Sequence, residues 1–307
     1  MQSKAPAGVE THVKGMALMV LGTLMLPLID VTGKWLAVVG HMPPATLAFF
    51  RFLIQTVLTS FILLAARDFG VFRTGHLFGN MLRGALLGLG GVMFFTSIKY
   101  MPIADAMAVF FAEPLVLTIL SVFFLHEKIG WRRITSVTIG LIGTLIVIQP
   151  SFEVFGFVSL LPLITAVTFA IYVMLNRKFG ANDTPFVMQF YAGIGGCLVS
   201  IAVMIFGTLS GVADLQFMLP MEKAQWPLLL FMGGVGMLGH LLVVQACKLA
   251  PASLLAPFQY LEIVMAVIFG LILFDEFPTP SKWLGIAIVI GSGIYVFMRE
   301  RKLKQAG

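Results

Sequence analysis

The sequence predicts an all-α integral membrane protein, with ten transmembrane helices arranged as two inverted five-helix repeats. Three observations predict this class: the composition, the length of the apolar blocks and a likeness between the two halves. Of the 307 residues, 59% are hydrophobic and only 11% are charged, and the mean hydropathy is +0.99. A soluble domain carries about 45–50% apolar and about 25% charged residues. This composition would leave large apolar patches exposed in water, so we expect a lipid environment.

Apolar blocks of about 20 residues, the length of a bilayer-spanning helix, follow one another along the chain. Their breaks place the predicted spans at 15–37, 45–66, 80–98, 103–125, 134–149, 155–175, 185–207, 226–247, 253–274 and 283–298. The first block lacks a small-residue cleavage site, so we expect a retained helix rather than a signal peptide. Pro27, Pro114 and Pro257 lie inside spans, where we expect interrupted helices.

The placement of lysine and arginine predicts the orientation. With the N-terminus in the cytoplasm, fifteen of these residues lie at inward ends of the spans, and three, Lys99, Lys223 and Lys282, lie at outward ends. This is a strong positive-inside bias, and it predicts that both termini are cytoplasmic. The net charge of +6 is then explained by topology and does not indicate a nucleic-acid partner.

The two halves of the chain resemble each other at a fixed offset of 149 residues. The matches are Lys99 with Lys248, Pro102 with Pro251, Glu113 with Glu262 and Glu127 with Glu276. Each half holds five spans, an odd number, so the second half must enter the membrane from the opposite side. We therefore predict repeats over 15–149 and 155–298. In this architecture the substrate site lies near the bilayer midplane, between the repeats.

Two acidic residues, Glu113 and Glu262, lie about halfway along spans four and nine. A charged side chain at the bilayer centre costs about 2.5–3.5 kcal/mol on insertion scales, so it normally faces the bundle interior or a watery cavity. We expect both residues to flank one central cavity. The alternative is an internal hydrogen-bonding role that holds two helices together.

Three further charged residues lie inside the predicted spans. Asp30 and Lys34 are four residues apart on one helix face, and they either neutralise each other or take part in binding. Arg51 lies about two turns into span two and needs a carboxylate partner, for which Asp30 and Glu113 are the candidates. Together with nearby polar and aromatic residues, the predicted substrate-binding set is Asp30, Lys34, Trp35, Arg51, Phe110, Phe111, Glu113, Gln259, Tyr260 and Glu262.

Motifs for other chemistry are missing from the sequence. The five histidines show no metal-ligand spacing, the two cysteines form no CxxC pair, and no Ser/His/Asp or Walker pattern occurs. We expect no catalytic residue, no metal and no cofactor, and hence no enzyme. A membrane scaffold or sensor without transport is the alternative from another class, but the repeat and the midplane carboxylates favour a transporter.

The segments "AVFFAEPLVLTILSVFFLHEKIGWRRITSVTIGLIGTLIVIQP" and "APFQYLEIVMAVIFGLILFDEFPTPSKWLGIAIVIGSG" resemble the paired repeats of the EamA family, in the drug/metabolite transporter superfamily. The likeness extends from about residue 15 to 298. It implies a secondary transporter of the bacterial inner membrane that moves a small metabolite by alternating access. The expected partners are that substrate and the lipid bilayer, with a homodimer as a further option.

Four segments, "DVTGKWL", "FFRF", "MLRG" and "APFQYLE", are most similar to the family's riboflavin uptake carriers and nearly as similar to its S-adenosylmethionine uptake carriers. The residues add a weak preference. Three acids against two bases inside the membrane, with aromatics near them, fit a neutral flavin slightly better than a cation. Riboflavin import is therefore the leading expectation. S-adenosylmethionine uptake and the export of amino acids or drugs are the alternatives.

Overall fold

The fold is a bundle of helices joined by short connections. The computed structural model describes residues 9–65, 74–113, 116–117, 119–120, 124, 131–179, 183–250, 255, 258–259 and 261–306. Within them the helices are α1 (Val9–Val38), α2 (Pro44–Ala65), α3 (Leu77–Tyr100), α4 (Ile103–Phe110), α5 (Trp131–Phe155), α6 (Leu161–Phe179), α7 (Pro185–Ser210), α8 (Gln225–Leu249), α9 (Leu261–Phe274) and α10 (Pro280–Ala306). Short 3-10 segments cover Gly156–Leu160 and Ala213–Leu215.

Six helical stretches in the described residues are long and apolar enough to cross a membrane. They are Thr11–Val38, Pro44–Ala65, Leu77–Tyr100, Phe152–Leu175, Pro185–Ser210 and Gln225–Ala246. Two shorter apolar stretches, Thr138–Val147 and Leu261–Phe274, lie within α5 and α9. The all-helical, multi-pass class predicted from the sequence is confirmed, whereas the count of ten spans stays a prediction.

The fourth predicted span, 103–125, does not begin as one continuous helix. α4 ends at Phe110, and Phe111 and Ala112 form a turn just before Glu113. The sequence explains this end, because a proline at position 114 has no N–H to donate to the carbonyl of Phe110. Residues 114 and 257 lie outside the described residues. At Pro27 the prediction of an interrupted helix is wrong, since α1 continues through it. In a bundle, neighbouring groups can satisfy the freed backbone.

Part of the helix packing relates the two halves of the chain. α1 packs on α8 and on α9, α2 packs on α8, and α6 packs on α3 and on α4, while α7 packs on α3. If each helix of the first half is exchanged with the helix five places later in the chain, α1–α8 becomes α6–α3, α1–α9 becomes α6–α4, and α2–α8 becomes α7–α3. The pairs α2–α7, α4–α9 and α5–α10 are also in contact, and the exchange leaves them unchanged.

Glycines allow α3 and α7 to approach at backbone distance. A Cβ atom on Gly84 would lie 2.3 Å from the carbonyl oxygen of Ala192, and one on Gly88 would lie 2.8 Å from the Cα of Gly196. Small residues at helix contacts are typical of membrane bundles, where close van der Waals packing replaces the hydrophobic effect. The "GALLG" stretch is therefore a packing feature that fixes α3 beside the cavity described next.

Candidate functional site

A central cavity of about 160 Å³ lies between α1, α2, α3, α4, α6, α8 and α9. Its polar lining residues are Asp30, Arg51, Glu113, Thr165, Thr168, His240, Gln259 and Glu262. Aromatic and aliphatic side chains form the rest of the wall. Membrane helices can expose polar side chains only toward such an interior. The fold thus brings residues that are more than 200 positions apart into one site.

Three carboxylates line this cavity from different helices. Asp30 lies within α1, Glu262 lies in the first turn of α9, and Glu113 follows the end of α4. All three residues are half-buried. Glu262 interacts electrostatically with both Asp30 and Glu113. Asp30, Glu113 and Glu262, all members of the predicted substrate-binding set, therefore line one cavity, and their role in binding stays a prediction.

Arg51 reaches the same cavity from α2, with its side chain held by contacts from other helices. Its Nη2 lies 2.9 Å from Nε2 of His240 on α8, and its guanidinium carbon lies 5.0 Å from the centre of the Phe52 ring. Asp30 is near enough to interact electrostatically with Arg51, yet no hydrogen bond or ion pair joins these two described residues. The predicted partner of Arg51 was a carboxylate, and the observed hydrogen-bond partner is a histidine.

Two predicted binding residues, Lys34 and Trp35, do not line the cavity. Lys34 is 4% exposed, forms an ion pair with Glu276 and donates a hydrogen bond to the carbonyl of Met101 at 2.9 Å. Its side chain therefore pairs with a carboxylate that is distant in the sequence, and not with Asp30 on the same helix face. Trp35 is the next residue along α1 and is 36% exposed at the protein surface. A third predicted residue, Tyr260, lies outside the described residues.

Phe110 and Phe111 contribute to an aromatic wall. The Phe110 ring contacts the rings of Phe94 at 5.9 Å, Phe111 at 5.9 Å and Phe169 at 5.5 Å between centroids, all in edge-to-face arrangements. Tyr172 continues the wall, 5.4 Å from Phe169. Gln259 lines the cavity beside Glu262. Flat aromatic or cationic groups are the ligands that such rings favour.

A second polar cluster lies near the C-terminal end of α1, around Lys34. We call it the Lys34 cluster, and it consists of the ion pairs Lys34–Glu276 and Lys282–Asp105. Glu276 also accepts a hydrogen bond from the backbone N–H of Ile103 at 3.2 Å. These contacts tie α1 and α4 to the segment between α9 and α10, and they tie α10 to α4. They join helices of the first half of the chain to helices of the second half.

Sequence reasoning missed three polar residues of the cavity: Thr165, Thr168 and His240. The sequence carried a signal for His240, because it stands inside the apolar block 226–247 in the stretch "GGVGMLGH". The sequence search looked for histidines with metal-ligand spacing, and His240 has no such spacing, so the search did not identify it. The threonines carried no signal, since threonine often bonds within its own membrane helix. Here the Thr165 hydroxyl lies 3.1 Å from the carbonyl of Leu161 in its own helix and also 3.1 Å from that of Gly90 on α3.

Known proteins show what the chain is similar to. The sequence profile of the EamA-like transporter family matches residues 13–149 and again 156–298. An S-adenosylmethionine uptake transporter of Rickettsia conorii is 30% identical over 95% of each chain. A riboflavin transporter of Vibrio cholerae is 26% identical over 94% of each chain. These relatives are named as transporters, not as enzymes.

A solved crystal structure shares the fold, with a TM-score of 0.63 over 96% of this chain and 98% of the other, at 19% identity. At that identity the likeness supports the fold alone. The family profile, in contrast, covers most of the chain in two successive matches. This chain belongs to the EamA-like transporter family.

Proposed function

We propose that the protein imports a cationic small metabolite across the bacterial inner membrane, and that S-adenosylmethionine is the leading candidate. The observation that carries this proposal is the charge of the central cavity. Among the described lining residues, Asp30, Glu113 and Glu262 carry carboxyl groups, and Arg51 carries the one guanidinium. An excess of carboxylates in a partly desolvated cavity favours a positively charged ligand, because electrostatic interactions are strong where water is scarce.

The position of Lys34 changes the preference that the sequence suggested. Sequence reasoning counted Lys34 as a second base near the acids, and the resulting near-balance favoured neutral riboflavin. Because Lys34 pairs with Glu276 outside the cavity, the described lining of the cavity holds one fewer basic side chain than the sequence suggested. The balance moves toward a cationic substrate.

The chemistry of S-adenosylmethionine matches the remaining groups of the cavity. Its sulfonium and ammonium are cations that the carboxylates would bind, and its own carboxylate is a bidentate partner for an arginine such as Arg51. Its adenine ring and its sulfonium both suit an aromatic wall. The name of the Rickettsia conorii relative supports the same substrate.

Riboflavin remains the second candidate, and the aromatic wall is the observation that favours it. Phe94, Phe110 and Phe169 present ring edges and faces near the cavity. Stacking contributes about 0.5–1.5 kcal/mol for each aromatic pair beyond the area it buries. The riboflavin transporter of Vibrio cholerae supports this candidate. Export of amino acids or drugs ranks below both substrates, and a scaffold without transport ranks last.

Two inverted five-helix repeats, over 15–149 and 155–298, would provide the alternating access. The exchange pattern of the helix pairs and the two successive profile matches support this arrangement. With both termini in the cytoplasm, the Lys34 cluster lies on the periplasmic side. It would then close the outer end of the cavity while the substrate leaves toward the cytoplasm.

Reporter fusions test the orientation. A cytoplasm-specific reporter fused after Gly307 is expected to be active, and a periplasm-specific reporter inserted within residues 208–225 is expected to be active as well. The reason is the excess of Lys and Arg at the inward ends. Swapping the two reporters is the control and should silence both. A periplasmic C-terminus would contradict the proposed repeat.

Uptake into proteoliposomes tests the substrate. We expect saturable uptake of radiolabelled S-adenosylmethionine that unlabelled S-adenosylmethionine inhibits and riboflavin does not, with protein-free liposomes as the control. Uptake of riboflavin alone would replace the leading candidate by the second one. Uptake of neither compound would overturn both assignments and make export the leading candidate.

A further inference from the structure

The hydrogen bond between Arg51 and His240 defines the chemical state of the histidine. A guanidinium has only N–H donors, so Nε2 of His240 must be the acceptor of the 2.9 Å contact. The imidazole is therefore neutral and carries its proton on Nδ1. His240 is an acceptor supplied by α8 to a cation on α2.

Arg51 has a competing partner on a third helix. Asp30 on α1 interacts electrostatically with Arg51, and a carboxylate forms stronger hydrogen bonds with a guanidinium than a neutral imidazole does. A direct Arg51–Asp30 pair would neutralise both groups and remove them from ligand binding. In the observed arrangement, neither hydrogen-bonds to the other, although both line the cavity.

Space around Arg51 favours the observed direction of its side chain. A Cβ atom on Gly91 of α3 would lie 3.7 Å from its Nη1, and one on Gly236 of α8 would lie 3.6 Å from its Nε. The guanidinium thus lies beside two helix surfaces that carry no side chain. Its Nε is buried and has no hydrogen-bond partner among the described residues, so the observed position leaves part of the hydrogen-bonding capacity of the guanidinium unused.

We infer that His240 is a positioning residue that holds Arg51 away from Asp30, so that Arg51 binds the carboxylate of the substrate while Asp30 binds a cation. The cavity then selects ligands with an amino-acid end, bearing both charges, over amines that lack the carboxylate. This inference rests on the proposed function, because it concerns the same cavity and a substrate of that class.

Two variants of His240 test the inference. His240→Leu removes the acceptor at a similar volume, and His240→Gln keeps an acceptor oxygen. The measurement is uptake of S-adenosylmethionine and its inhibition by decarboxylated S-adenosylmethionine, which lacks the carboxylate. His240→Leu should raise KM for S-adenosylmethionine about tenfold or more, change the maximal rate much less, and abolish the preference for the carboxylate-bearing ligand. His240→Gln should recover most of both properties. His12→Leu, at the start of α1, is the matched control.

A double substitution separates this role from a packing role. In an Arg51→Gln background the preference for the carboxylate should already be lost, so adding His240→Leu should change it little further. If the leucine variant does not fold, His240→Met takes its place in both comparisons.

The failure of this inference differs from the failure of the proposed function. Wild-type protein that takes up no S-adenosylmethionine overturns the proposed function, and this inference with it. Wild-type protein that transports, together with a leucine variant of unchanged KM and unchanged preference, overturns only the role of His240. A glutamine variant as impaired as the leucine variant would also overturn it, because the retained acceptor would then have no effect.

Discussion

Replacing Glu262 by glutamine is expected to lower uptake of a cationic substrate by about ten- to a hundredfold, without lowering the amount of folded protein in the membrane. Glutamine has the same shape, so packing in the first turn of α9 is kept and only the charge is lost. A hydrogen bond to a charged group contributes about 1.5–3 kcal/mol, which corresponds to that range of affinity. Glu262 lines the cavity and forms no hydrogen bond to another described residue.

The stability of the Glu262→Gln protein should not fall with its transport. Glu262 interacts with the carboxylates of Asp30 and Glu113, and like charges that share one cavity repel each other. Removing one of them should keep the melting temperature in detergent equal to that of the wild type or raise it. Glu153→Gln, at the exposed end of α5, is the matched control and should alter neither quantity. Parallel losses of transport and of folded protein would instead indicate a helix-packing role for Glu262.

Lys34→Met is expected to destabilise the protein by about 3 kcal/mol, because removal of one partner leaves a mostly buried charge without its counter-ion. Lys34 is 4% exposed, and the Glu276 side chain is 19% exposed. Thermal unfolding in detergent measures the loss. Uptake should fall too, since the proposed outer closure depends on this ion pair.

A second substitution shows that the effect belongs to the ion pair. Replacing both partners, Lys34→Met with Glu276→Leu, should recover most of the lost stability, because well-packed apolar residues often substitute for a buried pair at little cost. Lys223→Met, an exposed lysine, is the control and should have no effect. A Lys34→Met protein that melts at the wild-type temperature would show that the Lys34–Glu276 pair does not stabilise the fold.

Composition and spacing were sufficient to predict the class of the fold. Lipid accepts only helices or closed barrels, so apolar blocks of spanning length leave little choice of secondary structure. The free-energy cost of exposing a charged side chain to lipid predicted that Asp30, Arg51 and Glu262 face the interior of the bundle. The structure finds all three on one cavity. Their role in binding, the ten spans and the inverted repeat remain predictions.

The partners of the charged side chains were harder to predict, because each of these side chains pairs with a residue that is distant in the sequence. Lys34 and Asp30 share a helix face, but 242 residues separate Lys34 from Glu276, the carboxylate that it pairs with. Arg51 hydrogen-bonds a histidine 189 residues away. That histidine lies in a glycine-rich stretch, which indicates close helix packing and not a polar contact. Helix periodicity gives the direction of a Cβ atom. It does not give the direction of a long charged side chain that can reach two different helices.

The exchange pattern among the helix pairs has a consequence for the state of the transporter that faces the other side of the membrane. On the proposed repeat, each half already displays the conformation that the other half adopts when access reverses. The contacts of α1 with α9 and those of α6 with α4 would trade places, while α2–α7 and α5–α10 stay unchanged and act as the pivots. If the proposed repeat is correct, the contacts inside each half of this one conformation are those that the other half would adopt when access reverses.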